Sequence, residues 1–278
     1  MKPDLQTPAR RYRLGFIGSG KLAGSVIRGL LRARFCAPRE IIAGEPNDEL
    51  RTSLQAETGI SVTADNFEAA RSAETILIGV KPTFVLAVVR KIAPVTDDKL
   101  VISLAAGVRI RNMESISNAR LMRVMTNTPT AIGRGATAIA RGARTIPNDL
   151  SRARSIFDAV GVTVEVNEDQ IDAVTALAGS GPAFVYAVIE ALADGGIKTG
   201  LPPEVAAVLA THTVLGAAQL AAETGKSPEE LRRMVVTPGG TTAAGLTAMA
   251  ERSTSEGLVA AVEAAAARGQ EMAREFVK

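Results

Sequence analysis

Two rhythms of apolar and polar positions run along this chain, and they change over near residue 167. Before that point, short apolar runs alternate with helix-periodic segments. Arg13-Leu14-Gly15-Phe16-Ile17-Gly18 reads as a short strand. Over 21–34 the apolar residues Leu22, Val26, Leu30 and Ala33 recur at helical spacing. Residues 40–44 read as a second strand and 48–58 as a helix closed by Gly59. A fully apolar strand at 75–80 and a helix at 82–93 follow, then a strand at 100–104 and a helix from about Arg109. Strands at 121–125 and 136–140, a helix at 149–160 and a last strand at 162–166 complete the series. Strands that are apolar without alternation are buried on both faces. Together with the β/α alternation, that predicts an α/β fold: a Rossmann-type, doubly wound parallel sheet.

After 167 no strand pattern returns. Residues 182–193 are apolar on nearly every side, with Phe184, Val185, Tyr186, Val188, Ile189 and Leu192. Such a helix must be covered all round. A long helix is expected at 203–224, stopped by Gly225, and another after the capping box Ser227-Pro228-Glu229-Glu230. Two more are expected at 243–252 and 256–276. The predicted organisation is a flexible N-terminus (1–12), a dinucleotide-binding domain (13–166) and an all-helical substrate and dimerisation domain (167–278). The helices of the last are too apolar to pack alone, so a second copy of the chain is expected to cover them.

Composition narrows the function. A chain of 278 residues has room for two cores. With 3% aromatics and no Trp, Ala, Val, Leu and Ile must fill them. The net charge of +3 is spread along the chain, without a basic block or interleaved aromatics, so no nucleic-acid partner is expected. The run Arg10, Arg11 and Arg13 reads as a solvated terminus. A single cysteine, Cys36, forbids an intrachain disulfide and suits a reducing compartment. With His212 the only histidine, no Cys/His metal cluster is available. The first thirteen residues are polar, and no uninterrupted apolar stretch approaches membrane-spanning length. A cytoplasmic protein without a membrane partner is therefore expected.

The chemistry concentrates in a few loops. Gly18-Ser19-Gly20-Lys21-Leu22-Ala23 follows the first strand and opens a helix. Gly18 permits the turn, Gly20 lets backbone approach a pyrophosphate at the helix N-terminus, and Ala23 stands at the third glycine position, which only sets helix–strand packing. Glu45 follows the second strand. There an acid accepts hydrogen bonds from a ribose 2′-hydroxyl and repels a 2′-phosphate, which favours NADH over NADPH. The other reading is an exposed turn acid before Pro46, and Arg51 would offset the charge if it folded back. Val80-Lys81-Pro82, Ala105-Ala106-Gly107 and Asn127-Thr128-Pro129 fall at later strand ends, and the small residues at 105–107 would let a nicotinamide ring lie flat. In the helical part, Gly179-Ser180-Gly181-Pro182 and Thr237-Pro238-Gly239-Gly240-Thr241-Thr242 each precede a helix and offer backbone N–H groups to an anion such as a carboxylate. Alcohol–carbonyl dehydrogenases need a positioned acid or base, and none stands out. His212 falls mid-helix among apolar neighbours, as a core or interface residue would. Reduction of a C=N bond needs less, because an imine is readily protonated; Thr242 is the candidate proton donor.

These stretches resemble the pyrroline-5-carboxylate reductase family from Leu14 to about Arg274. The resemblance rests on Phe16-Ile17-Gly18-Ser19-Gly20-Lys21-Leu22-Ala23, the loops above and, most specifically, Pro238-Gly239-Gly240-Thr241-Thr242 with Met234 before it and Ala244-Gly245-Leu246 after. It implies hydride transfer from NADPH or NADH to the C=N bond of a cyclic imino acid, giving proline, and self-association through interleaved C-terminal helices as a dimer or a pentamer of dimers. It also implies cofactor contacts at Asn66, Val80, Lys81, Pro82 and Ala105, and a carboxylate site at 237–242. The chain departs from the family pattern at Val236 and Thr237, where the family commonly has Thr or Cys and then Ser. It departs again at Met125-Thr126-Asn127-Thr128-Pro129, and at Glu45, since many members use NADPH. A β-hydroxyacid dehydrogenase would want a lysine near Phe184. A non-catalytic dinucleotide sensor would not need the two substrate loops.

Overall fold

The computed structural model describes residues 11–275; the first ten residues of the segment 1–12 expected to be flexible and the helix end at Phe276 lie outside the described residues, whereas Tyr12 of that segment is buried in the first strand. Two compact units are present. The first runs to Ser180 and takes in the chain again from Ala265; the second is Gly181–Ala264. The first unit therefore extends beyond the change of rhythm at residue 167.

The first unit is built on one eight-stranded sheet of order β3-β2-β1-β4-β5-β6-β7-β8. Its strands are β1 (Tyr12–Ile17), β2 (Ile41–Gly44), β3 (Ser61–Thr63), β4 (Ala73–Ile78), β5 (Leu100–Ser103), β6 (Arg120–Met125), β7 (Gly135–Arg141) and β8 (Gly161–Glu165). Helices α1 (Lys21–Arg32), α2 (Asp48–Thr58), α3 (Asn66–Ser72), α4 (Pro82–Ile92), α5 (Ile110–Glu114) and α6 (Pro147–Asp158) connect them. The apolar runs become a sheet with both faces covered. In β4, Ile76 and Ile78 enter one core cluster and Leu77 the other; in β6, Leu121 enters the first, and Met122 and Val124 the second. Each fully buried Ile or Leu of this kind contributes roughly 1.5–3 kcal/mol.

Three features depart from the expected pattern. β6 and β7 pair antiparallel, with Val124 opposite Ile139. Only residues 126–134 separate them, too few for the crossover that parallel pairing needs. β3 and α3 are additional elements: β3 is short and half-buried, and α3 is started by Asp65, whose side chain accepts from the Phe67 N–H at 3.1 Å. β8 is an edge strand with Val162 and Val164 exposed, so it is not covered on both faces.

Beyond β8 come α7 (Ile171–Val174) and a π-helical turn, Thr175–Gly179. The Ser180 N–H closes that turn on the Thr175 carbonyl at 2.9 Å. A buried ion cluster fixes α7 to the sheet. Arg123 of β6 is fully buried, donates to Asp172 at 3.2 Å and lies 3.6 Å from Glu168; Arg109 donates to the same Asp172 at 2.8 Å. Burial pushes the Arg123 guanidinium below its ordinary pKa, opposed by Asp172 and Glu168.

The second unit carries α8 (Gly181–Lys198), α9 (Pro203–Thr224), α10 (Pro228–Val235) and α11 (Thr241–Glu251), and α12 (Thr254–Glu275) begins in it. The short connection after α8 makes α8 and α9 a helical hairpin, in which Gly196 allows Ala206 to come close. Gly225 ends α9 in the left-handed conformation, at φ 63°, and Ser227 and Glu230 form the capping box of α10. Within one protomer α8 buries no residue, and α9 buries only Ala206 and Ala210. Val185, Tyr186, Leu192, Val208, Leu209 and Leu215 are all exposed. His212 is exposed too, so it is no core residue of the protomer. Contrary to the expectation from uninterrupted apolar runs, residues 168–198 and 203–224 are long and apolar enough, by length and composition, to cross a membrane. Scattered Asp, Glu and Lys residues interrupt the runs without lowering mean hydropathy enough to fail that test.

Candidate active site

β1 lies where the sheet order reverses, with β2 on one side and β4 on the other. The carboxyl ends of strands at such a point open into a crevice. Two adjoining cavities follow it, one of about 550 Å³ at the β2 side and one of about 540 Å³ toward β5 and β6; both are lined by Gly20, Gly79, Val80 and Lys81.

The turn between β1 and α1 needs its glycines for distinct reasons. Gly18 has φ 84°, and a Cβ there would lie 2.7 Å from Val80 Cγ1. Around Gly20 nothing lies within 4 Å of a would-be Cβ, so the backbone faces open space. Ala23 packs against Gly79, where a Cβ would approach to 2.6 Å. Gly20 caps α1 without a side-chain hydrogen bond. The N–H groups of Lys21, Leu22 and Ala23 are therefore left for an anion.

The β2-side cavity gathers Glu45, Pro46, Asn47, Leu50, Asn66 and the half-exposed Phe84. Glu45 is not a free turn acid. Its Oε2 accepts from the Ser19 N–H at 3.0 Å and the Ser19 hydroxyl at 3.1 Å, and its Oε1 accepts from the Asn47 N–H at 3.0 Å. Arg51 folds back, but onto backbone: it donates to the Glu45 carbonyl at 2.9 Å and the Pro46 carbonyl at 3.4 Å, and it pairs with Asp48. Asn66 Oδ1 is buried without a hydrogen-bond partner.

The second cavity gathers Lys21, Leu22, Pro82, Ala105, Ala106 and Ser180, together with Asn127, Thr175 and Gly179. Asn127 ties its walls together: Oδ1 accepts from the Ala136 N–H and Nδ2 donates to the Ala178 carbonyl, each at 3.1 Å. Among the described residues lining this cavity, Lys21 and Lys81 are the only titratable ones.

Of the residues expected to bind cofactor, Gly18, Gly20, Lys21, Leu22, Glu45, Asn66, Val80, Lys81, Pro82, Ala105 and Ala106 thus line one crevice or the other. Ile17 is buried in the sheet, and Ser19 faces Glu45. Of the expected substrate residues, Ser180 is in the first unit. Gly181 and Thr237 through Thr242 belong to the second. There, Thr237, Pro238, Gly239 and Gly240 make a tight turn: Gly239 has φ 72°, and the Gly240 N–H donates to the Thr237 carbonyl at 3.0 Å. Gly240 then caps α11, again with no side-chain hydrogen bond, leaving the N–H groups of Thr241, Thr242 and Ala243 available. Sequence reasoning missed Leu50, Phe84 and Thr175. A Phe two residues after Pro82, in the first turn of a helix that opens at the carboxyl end of a strand, was a signal for Phe84; nothing local marks Thr175 or its π turn.

Relatives carry the same plan. Residues 168–272 match the family described as pyrroline-5-carboxylate reductase dimerisation, and residues 13–107 match NADP oxidoreductase, coenzyme F420-dependent. The pyrroline-5-carboxylate reductase of Synechocystis sp. is 41% identical over 94% of this chain and 98% of its own length. The chain belongs to the pyrroline-5-carboxylate reductase family. The soybean (Glycine max) enzyme is 39% identical over 95% of this chain and 97% of its own. A crystal structure of Plasmodium falciparum pyrroline carboxylate reductase with NADP bound superposes with TM-score 0.86 at 29% identity, over 95% of this chain and 99% of that one. The structure of the Coxiella burnetii pyrroline-5-carboxylate reductase gives 0.86 at 32%, over 94% and 98%.

Like its family, the chain is an NAD(P)H-dependent oxidoreductase. Its residues fit the dinucleotide: a glycine turn opening on empty space, uncapped N–H groups and an orphaned Asn66 Oδ1 line one crevice. As a pyrroline-5-carboxylate reductase it self-associates through the C-terminal helices, which accounts for the apolar side chains they leave exposed.

Proposed function

We propose that this reductase converts 1-pyrroline-5-carboxylate to L-proline, with the substrate carboxylate held at Thr237–Thr242 and Thr242 delivering a proton. The observation that carries this reading is a pair of glycine-capped helix N-termini without a side-chain hydrogen bond, one in each unit. The first, at Gly20, suits a pyrophosphate, and the second, at Gly240, suits a carboxylate. Bound reduced nicotinamide supplies the hydride. The chain's own groups position and neutralise. Lys21 and Leu22 offer main-chain N–H groups, Lys81 adds positive charge, and Ala105 and Ala106 leave room for a flat ring. Ser180 and Gly181, at the start of α8, are further proposed substrate contacts. Among the described residues, no titratable side chain other than Lys21 and Lys81 lines the second cavity; a readily protonated imine needs no stronger acid, so a hydroxyl such as that of Thr242 suffices as its proton donor.

The functional division proposed is 13–166 for the cofactor and 167–278 for substrate and self-association, a boundary supported by the dimerisation match from residue 168. The assembly proposed is a dimer or a pentamer of dimers in the cytoplasm, without nucleic-acid or membrane partners.

The test is turnover. Absorbance of NADH and NADPH is followed with pyrroline-5-carboxylate added; tight cofactor binding without oxidation would instead favour a non-catalytic sensor. A Cβ on Gly240 would lie 2.3 Å from Thr237 Oγ1, so Gly240→Val must distort the turn. It should raise the KM for the imino acid at least about tenfold and leave the cofactor KM nearly unchanged. Equal effects on both would remove this loop as the carboxylate site.

A further inference from the structure

We propose that Glu45, fixed in place by Ser19 and Asn47, makes this reductase select NADH and reject NADPH. The inference rests on the reading of the β2-side crevice as a dinucleotide site. A relative at 29% identity was crystallised with NADP, so the selectivity is argued from this chain's own side chains.

The carboxylate stands at the end of β2, where the adenosine ribose of a dinucleotide lies in folds of this type. Three donors hold it: the Ser19 N–H at 3.0 Å, the Ser19 hydroxyl at 3.1 Å and the Asn47 N–H at 3.0 Å. Held that way, it cannot swing out to make room for a second anion. Its remaining lone pairs suit the two hydroxyl donors of an unmodified ribose. A 2′-phosphate offers acceptors instead of a donor and brings about −1.5 to −2 charges against a fixed negative group.

Rejection also requires that the cations at the β2 end of the cavity be engaged elsewhere. Arg51 is the nearest candidate, and its guanidinium already donates to the carbonyls of Glu45 and Pro46 and pairs with Asp48. Recruiting it would leave two carbonyls and a carboxylate without their donor. Lys91, also on the cavity wall, is paired with Asp65 at 2.8 Å; Lys81 lines this cavity too, but it follows β4 rather than β2 and is shared with the neighbouring cavity toward β5 and β6. Ser19 completes the logic: the residue between the two glycines of the turn is the one that holds Glu45, so the turn and the ribose reader form one preorganised unit.

The test is equilibrium binding to the full-length enzyme. NADH and NADPH are titrated by nicotinamide fluorescence, and 5′-ADP and 2′,5′-ADP by calorimetry. The expected result is a preference on the order of 100-fold for NADH, with the same sign for 5′-ADP over 2′,5′-ADP. Glu45→Gln removes the charge while keeping shape and hydrogen bonding, and should shrink the NADH/NADPH ratio at least about tenfold, mainly by tightening NADPH. Equal or tighter binding of NADPH by the unaltered chain would overturn the proposal, as would a ratio untouched by Glu45→Gln. The ADP pair needs no variant, so a poorly folded Gln protein leaves the question decidable. Pyrroline-5-carboxylate turnover separates the two readings. Imine reduction with NADPH preferred sinks the selectivity and leaves the reductase standing. The predicted binding ratio without imine reduction does the reverse.

Discussion

Replacing Asp172 by Asn tests whether the ion cluster under α7 holds the first unit together. Asp172 is 2% exposed and accepts from Arg123 at 3.2 Å and from Arg109 at 2.8 Å. Arg123 is wholly buried, and its Nε and Nη1 have no hydrogen-bond partner. Once Asp172 is neutral, the carboxylate left near Arg123 among the described residues is Glu168, at 3.6 Å. Removing one member of a buried pair costs about 3–5 kcal/mol, because the other charge stays desolvated and uncompensated. At about 2–4 °C per kcal/mol for domains of this size, the midpoint should fall by roughly 6–20 °C. The assay is circular dichroism of thermal unfolding at fixed protein concentration, since self-association shifts the midpoint by mass action. Adding Arg123→Met removes the stranded charge, so the double variant should recover at least about half of the loss. A loss below about 1 kcal/mol for Asp172→Asn, or strictly additive losses in the double variant, would refute the reasoning.

Two further outcomes follow from the packing. Gly29 and Gly24 lie on the same helix, yet a Cβ on Gly29 would meet the Thr130 carbonyl at 2.1 Å, while one on Gly24 would crowd the movable end of Arg28 at 2.9 Å and touch the Ser19 carbonyl at an ordinary 3.5 Å. Gly29→Ala should cost about 1–3 kcal/mol, and Gly24→Ala should be neutral or stabilising by up to about 1 kcal/mol, as urea midpoints will show. Comparable midpoints for the two variants would mean that α1 is free to shift away from the segment at Thr130. Cys36 is buried, and burial, with Glu40 nearby, pushes its thiol up to about 11. Native protein at pH 8 should therefore react slowly with a disulfide reagent and quickly once unfolded. Because the fold favours the protonated thiol, its small stabilising contribution is complete below about pH 9 and disappears as pH rises through about 11. Stoichiometric labelling of native enzyme within seconds at pH 8 would contradict that burial.

Local signals determined a great deal. The helix at Asp48–Thr58 with Gly59 as its stop, the helix at Pro203–Thr224 with Gly225, and the Ser227–Glu230 capping box were all legible, because each depends on residues within one turn of one another. The same holds for the strand–glycine–helix unit at Gly18–Gly20 and for the unbroken apolar strands, whose lack of alternation requires cover on both faces. Tertiary structure alone decided what joins distant positions. It turned β7 antiparallel, buried Arg123 against Asp172, and widened the turn before Ser180 into a π helix. It also brought Ser19, twenty-six positions earlier, to the Glu45 carboxylate. Propensity and periodicity act over one turn of chain. A hydrogen bond between residues far apart in sequence exists only once the sheet has set their separation.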